Sequence, residues 1–247
     1  MPDKRTHRGP HPSDAKLFAP KAIPLLRAAV ADFSLLLTKG YADKSALKLV
    51  GDRFSLTQRQ RLAVMRGACS DQQLQSRRQQ RVESADLVGQ SLAIDGYNLL
   101  ITVEAAISGA FLFEGRDGCL RDLAGIHGTY RKVEETIPGI ALIGSFLEKL
   151  DLARALWLLD SPVSNSGRLK TLLGRQAREH GWDWDIRLSL NPDAELKQTD
   201  MIVATSDSVV LDDCHRWTNL ATEIIMARVP DVRVVALTNI ESPQEGG

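Results

Sequence analysis

Short apolar runs that stop at a carboxylate, with helix-length segments between them, constrain this chain more than any other feature. Ser91–Asp95 (SLAID) is apolar and ends in an acid ahead of Gly96, and Ala153–Asp160 (ARALWLLD) repeats the arrangement. Met201–Thr205 (MIVAT) runs into Ser206 and Asp207. Trp184–Leu190 and Val232–Leu237 read as two further strands. Leu99–Ala110, Ile126–Leu150 (interrupted near Pro138-Gly139), Gly167–His180 and Trp217–Arg228 read as helices. Near-continuous apolar strands are buried on both faces, and strands alternating with helices form a parallel sheet covered on both sides. The expected fold class is α/β over residues 90–247, with a parallel sheet of about five strands flanked by helices.

Residues 1–90 differ in charge. They carry 16 Lys and Arg against 8 Asp and Glu, leaving 15 against 23 for the rest, although the whole chain is neutral. Residues 1–16 are polar and aperiodic and are expected to form a flexible tail. Residues 17–89 read as a small, basic, all-helical region. Ile23, Leu26, Ala29, Val30, Phe33 and Leu37 recur at helical spacing, Asp43 is placed to start a second helix, and Thr57 to cap a third. Seven arginines, Arg53, Arg59, Arg61, Arg66, Arg77, Arg78 and Arg81, face the single acid Asp71 within that stretch. Arginine suits bidentate phosphate contact, so these are candidate nucleic-acid-binding residues. The other use for a basic half joined to an acidic half is docking of one on the other.

Composition removes several classes. No run of about 18 apolar residues is present, so no membrane helix and no membrane partner are expected. Cys69, Cys119 and Cys214 are too scattered for a disulfide framework or a zinc site, which makes a reducing cytoplasm the expected location. No glycine-rich nucleotide motif occurs.

In an open parallel sheet, ligands gather outside the carboxyl ends of the strands. Asp95, Asp160 and Asp207 stand at such ends, and Asp193, Asp200 and Asp212 lie in adjoining segments. Carboxylates crowded into one crevice repel, and Mg²⁺ or Mn²⁺ is the expected cofactor because hard ions take oxygen ligands. Glu104, nine residues beyond Asp95, is a second-tier candidate, as are Asp212 and Ser206. Each aspartate also has a plain structural use as a helix cap or turn residue.

The segment LAIDGYNLL resembles the first strand and turn of the PIN-domain-like nucleases, especially the NYN branch, and ATSDS (Ala204–Ser208) resembles that branch's later strand. The whole chain also resembles an uncharacterised prokaryotic family with a basic helical region before a PIN-like domain. The resemblance implies a Rossmannoid, PIN-like fold in which Asp95 and Asp207 bind metal and Asn98 positions substrate or a ligand carboxylate. Asp160 would fill the acidic position after the second strand. Val209 stands where the pattern usually has a second aspartate. Asp200 offers the Lys-x-x-Asp letters with Lys197 but lies seven residues before Asp207, and Asp193 is the other counterpart. The expected function is a metal-dependent ribonuclease with RNA as partner, the oligomeric state left open and a homodimer included. The rivals are a non-catalytic nucleic-acid-binding or regulatory module and a metal-dependent phosphatase acting on a small substrate.

Overall fold

The computed structural model describes residues 7–124 and 129–238. Its helices are α1 (Asp14–Leu17), α2 (Ile23–Thr38), α3 (Asp43–Arg53), α4 (Gln58–Gly67), α5 (Asp71–Gln80), α6 (Gly96–Ile107), α7 (Thr136–Leu147), α8 (Ser166–His180), α9 (Pro192–Gln198), α10 (Ser208–Leu211) and α11 (Leu220–Arg228). The strands are β1 (Ser91–Asp95), β2 (Phe111–Glu114), β3 (Leu120–Arg121), β4 (Arg154–Asp160), β5 (Trp184–Ser189), β6 (Ile202–Ala204), β7 (Trp217–Thr218) and β8 (Arg233–Ala236).

The main sheet has five parallel strands in the order β5-β4-β1-β6-β7. Side chains alternate across it with the two-residue period of a strand. Leu92, Ile94, Ala155, Trp157, Leu159, Ile202 and Ala204 enter the large core beneath α6, α7, α8 and α11. Ala93, Leu156, Leu158 and Val203 face the smaller core with Leu196, Val210, Leu211 and Trp217. Both faces are therefore apolar, which is why the strands read as unbroken apolar runs. The order reverses direction between β1 and β6, and that switch point opens a crevice at their carboxyl ends.

The expected α/β class and the count of five strands hold, but the fifth strand is a different one. Val232–Leu237 forms β8 in a second sheet, ordered β3-β2-β8, where β8 runs parallel to β2 and β3 antiparallel to it. Trp217–Thr218, expected to begin a helix, is the outer strand of the main sheet. Pro138-Gly139 does not interrupt α7: Pro138 lies in its first turn, where its missing N–H is no loss. Part of the expected Ile126–Leu150 helical segment lies outside the described residues.

The N-terminal helices have no core of their own. Leu26, Val30, Phe33, Val50 and Val64 share one cluster with Phe113, Leu123, Val235 and Leu237 of the second sheet and its flanks. Phe18 meets the Phe113 ring edge-on at 4.6 Å between centroids. Thr57 and Ser70 start α4 and α5 with capping boxes, each hydroxyl accepting from the backbone of the residue three positions on.

The expectation of a flexible tail over residues 1–16 is corrected from His7 onward; residues 1–6 lie outside the described set. Arg8 pairs with the buried Glu104, His7 with Glu135, and Asp14 is buried under Arg59. The tail is held because burying a carboxylate requires a cationic partner. Truncating that partner, Arg59→Ala, is expected to lower unfolding stability by roughly 2–4 kcal/mol, measured by urea denaturation, because Asp14 stays buried without its guanidinium.

Gly96 explains the glycine of the IDGYN segment. A Cβ there would sit 2.9 Å from the Leu158 carbonyl oxygen and 2.6 Å from Leu159 Cδ2, so α6 starts in contact with β4 only because that position is bare. Gly96→Ala is expected to cost about 1–3 kcal/mol by overpacking. Gly167→Ala, which meets nothing within 4 Å, is the control and is expected to leave stability unchanged or slightly higher.

Candidate functional site: an acidic crevice at the switch point

Asp95 ends β1 and caps α6, one carboxylate oxygen accepting from Asn98 N at 3.3 Å and the other from Thr205 Oγ1 at 2.9 Å. Asp207 follows β6 in the same way, caps α10 and accepts from Val209 N at 2.7 Å. The two turns are tied together. Thr205 Oγ1 also accepts from Asp207 N at 3.0 Å, and Asn98 Oδ1 accepts from Ser206 N at 2.8 Å and from Ser206 Oγ at 3.0 Å. Asn98 therefore positions the Asp207 turn, and Ser206 spends its hydroxyl on Asn98, which leaves it no nucleophile's role.

Asp160, at the end of β4, and Asp193, in the first turn of α9, line the same cavity of about 520 Å³ as Asp95 and Asp207. Their carboxylates feel one another. Burial first, then the charges of Asp207 and Asp193, push Asp95 up to about 7 against the hydrogen bonds from Thr205 and Asn98. Burial and Asp193 raise Asp160; burial and Asp207 raise Asp193, with Lys197 opposing.

Three expected site residues are placed elsewhere or neutralised. Asp200 precedes β6 and so lies at the amino end of a strand whose carboxyl end carries Asp207. Glu104 is separated from Asp95 by about two and a half helical turns and projects from the opposite side of α6. There it accepts from Tyr130 Oη and Thr136 Oγ1, each at 2.6 Å, and from Arg8. Asp212 lines the cavity but is held by Arg77 at 2.6 Å and Gln73 at 2.6 Å. Asp193, not Asp200, is thus the acid that joins Asp95, Asp160 and Asp207.

The structure adds residues that the sequence did not single out. Asp122 is buried in the cavity lining beside Thr102, whose Oγ1 lies 3.3 Å from it. Asn98 and Thr102 continue the face of α6 begun by Asp95, and that three-and-four spacing was the available signal. Arg121, buried, donates to the Ser206 carbonyl at 2.7 Å and to Asp117 through both terminal nitrogens at 2.9 and 2.6 Å. Arg77 reaches the same Asp117 at 2.5 Å. Burial pushes Asp117 up, yet Arg121 and Arg77 outweigh it and hold its carboxyl well below the usual range.

The arginines expected to bind phosphate divide accordingly. Arg59 and Arg77 are internal fasteners, on Asp14 and on the Asp117–Asp212 pair, and Arg61 pairs at the surface with Asp52 at 2.7 Å. Arg53 and Arg81 form surface pairs with Asp32 at 2.9 Å and Glu83 at 3.0 Å. Arg78 is exposed on α5. Only Arg66 of the seven lines the cavity without a carboxylate partner among the described residues. Of the seven, Arg77 alone pairs with acids beyond residue 90 among the described residues, while Arg53, Arg59, Arg61 and Arg81 pair with acids of the N-terminal region itself.

The donor set of Asp95, Asp160, Asp193 and Asp207 is all oxygen and multiply anionic, which fits a hard divalent cation. As the side chains stand, no three acid, His or Cys side chains among the described residues are gathered tightly enough to hold a metal ion. The charge and donor chemistry of the four aspartates fit such an ion, while their side chains as they stand are not gathered round one. Among the described residues no helix is long and apolar enough to cross a membrane.

Residues 84–223 match the model of a family described as "Domain of unknown function (DUF5616)", and residues 25–80 match "Protein of unknown function (DUF434)". An uncharacterised protein of Methanocaldococcus jannaschii is 30% identical over 186 residues, spanning 75% of this chain and 88% of that relative. No solved structure matches.

The raised Asp95 has a pH consequence. Its folded pKa lies above its ordinary value of 3.8, so the folded state binds the proton more tightly and stability falls as pH climbs toward about 7. In metal-free buffer the melting temperature is expected to rise on going from pH 8 to pH 5.5, and Asp95→Asn to flatten that dependence. Equal slopes for the two proteins would remove the carboxylate from the account.

Proposed function

This chain belongs to the DUF5616 family, and we propose that it is a metal-dependent nuclease that hydrolyses phosphodiester bonds of RNA in the crevice at the β1–β6 switch point. The observation that carries this reading is the meeting of four aspartates from four separate segments in one cavity. Helix caps scatter over a fold according to where helices begin; these four share one cavity, where the charges of Asp207 and Asp193 raise the proton affinity of Asp95, that of Asp193 raises Asp160, and that of Asp207 raises Asp193. The PIN-like resemblance of the IDGYN and ATSDS segments supports the same assignment, as does the strand order, whose reversal lies between the two resembling strands.

Asp95, Asp160, Asp193 and Asp207 would hold Mg²⁺ or Mn²⁺. When bound, such an ion supplies Lewis-acid polarisation of the phosphodiester and neutralises the crowded carboxylates. The chain's own residues do the positioning. Thr205 orients Asp95 and at the same time fixes the backbone of Asp207. Asn98 holds Ser206 from the other side, so the turns carrying the two principal acids are tied to each other by hydrogen bonds. The three buried, free thiols suit a reducing compartment, and we place the protein in the cytoplasm.

One observation favours the rival of a non-catalytic binding module: the carboxylates are not closed into a chelating group as they stand. Cleavage of single-stranded RNA separates the two. With Mg²⁺ or Mn²⁺ the wild type is expected to cut and with chelator to stop, while Asp207→Asn loses about a hundredfold or more of the rate with the fold retained. Mn²⁺ should also raise the melting temperature of the wild type more than that of the variant. Equal Mn²⁺ stabilisation with cleavage by neither protein would make Asp207 a structural cap and the crevice a binding site alone.

A further inference from the structure

The acidic wall is half of the crevice. The other half comes from the N-terminal helices, and its chemistry is different. Leu37 from the last turn of α2 and Met65 from the last turn of α4 line the cavity, and Met65 is 44% exposed there. Val209, 57% exposed, also lines the cavity, two residues after Asp207. Arg66, next to Met65, also lines the cavity and uses its terminal nitrogens on the carbonyls of Asp122 and Ala124. Those bonds spend two of the five N–H donors of a guanidinium, leaving the others available. The neighbouring Arg77 and Arg121 are saturated by Asp117 and Asp212. In the floor, Tyr97 is 4% exposed and its hydroxyl has no hydrogen-bond partner. A cavity with an exposed apolar shelf and, among the described residues, one cation without a carboxylate and a hydroxyl without a partner beside an acid cluster is a site for an amphipathic anion.

Resting on the nuclease reading above, we infer that one nucleotide of a single-stranded RNA lies across this cavity. Its base rests on the Leu37–Met65 shelf, and its phosphate lies between Arg66 and the aspartates. The N-terminal helical region is then part of the substrate site rather than a separate nucleic-acid-binding arm. The size argues for a single unit: about 520 Å³ is within the range of small-molecule pockets and far below what a duplex needs. The charge argues for Arg66. An anionic strand entering a wall of carboxylates is repelled unless a cation meets each phosphate there, and one guanidinium is on hand. The shelf argues for a base, because a flat π face gains from apolar and thioether surface without reading sequence. Sequence-independent RNA binding is the expected result.

The test uses the full chain in the Asp207→Asn background, so that binding is read without turnover. Affinity for a fluorescein-labelled single-stranded decamer of RNA is measured by anisotropy in Mg²⁺ across a salt series. Met65→Ser, at a half-exposed position, is expected to weaken binding about threefold to tenfold. An otherwise identical decamer without bases should lose that sensitivity. Arg66→Gln is expected to lower the salt slope by about 0.7, the value for one phosphate contact on a single strand, and Arg66→Lys to restore part of it. Melting curves check that each variant folds. RNA affinity and salt slope unchanged in both variants would overturn the shared site, even if the wild type cleaves RNA. Cleavage absent but affinity lowered by both variants would overturn the nuclease reading and keep the shared site. No binding of RNA by any form would overturn both.

Discussion

One buried carboxylate holds the parts of this molecule in register. Asp117, in the turn between β2 and β3, accepts from Arg121 on its own hairpin and from Arg77 on α5. Arg121 then reaches the Ser206 carbonyl beside Asp207, and Arg77 reaches Asp212 and the Ser208 carbonyl at 3.3 Å. Two guanidiniums on one carboxylate offset the desolvation of all three, a burial that an isolated ion does not survive. Through this cluster the basic helices, the second sheet and the Asp207 turn share a single electrostatic anchor. The acidic crevice therefore rests on cations as well: Arg121 and Arg77 fix the backbone of the Asp207 turn through the Ser206 and Ser208 carbonyls and line the same cavity as the aspartates.

That arrangement explains why the charge asymmetry of the sequence was informative and yet misleading in detail. A surplus of arginine signals that anions will be met, but not whether they are phosphates or the protein's own aspartates. The deciding partners lie far away in the chain: Asp14 is 45 residues from Arg59, and Asp212 is 135 from Arg77. No local pattern carries that information. Asp95, Asp160 and Asp207 were legible because a buried parallel strand has a local signature and its carboxyl end has a fixed geometric meaning. Asp193 was legible as the start of a short helix. Asp122 and Arg121 were not, since the strands beside them are four and two residues long and carry no measurable period.

Propensity and partnership are different properties. Val232–Leu237 reads as a strand and is one, but the sheet it joins is set by tertiary packing against β2. Trp217–Thr218 is too short to announce itself, and it joins the main sheet by pairing with β6, with the Trp217 indole donating to the Arg77 carbonyl at 2.7 Å. Glu104 shows the same limit in another form. Its place nine residues after Asp95 suggests the crevice, whereas the helical angle sends its carboxylate to the far side, into the network that fastens the N-terminal segment.

The pairing of β8 with β2 has a consequence for how the molecule is made. Leu26, Val30 and Val64 belong to one apolar cluster with Val235 and Leu237, and Arg27 Nε donates to the Ala236 carbonyl at 2.9 Å. Helices α2 and α4 thus find the last part of their core only in residues that follow Arg27 by some two hundred positions. Contacts of such sequence separation form late and slowly, and the waiting helices expose Leu26, Phe33 and Val64 meanwhile. Capping boxes on α4 and α5 give those helices some local stability during the delay. In vectorial synthesis, the wall carrying Leu37, Met65 and Arg66 can settle against the aspartates only after residue 237 has emerged, so the crevice is among the last features of the fold to close.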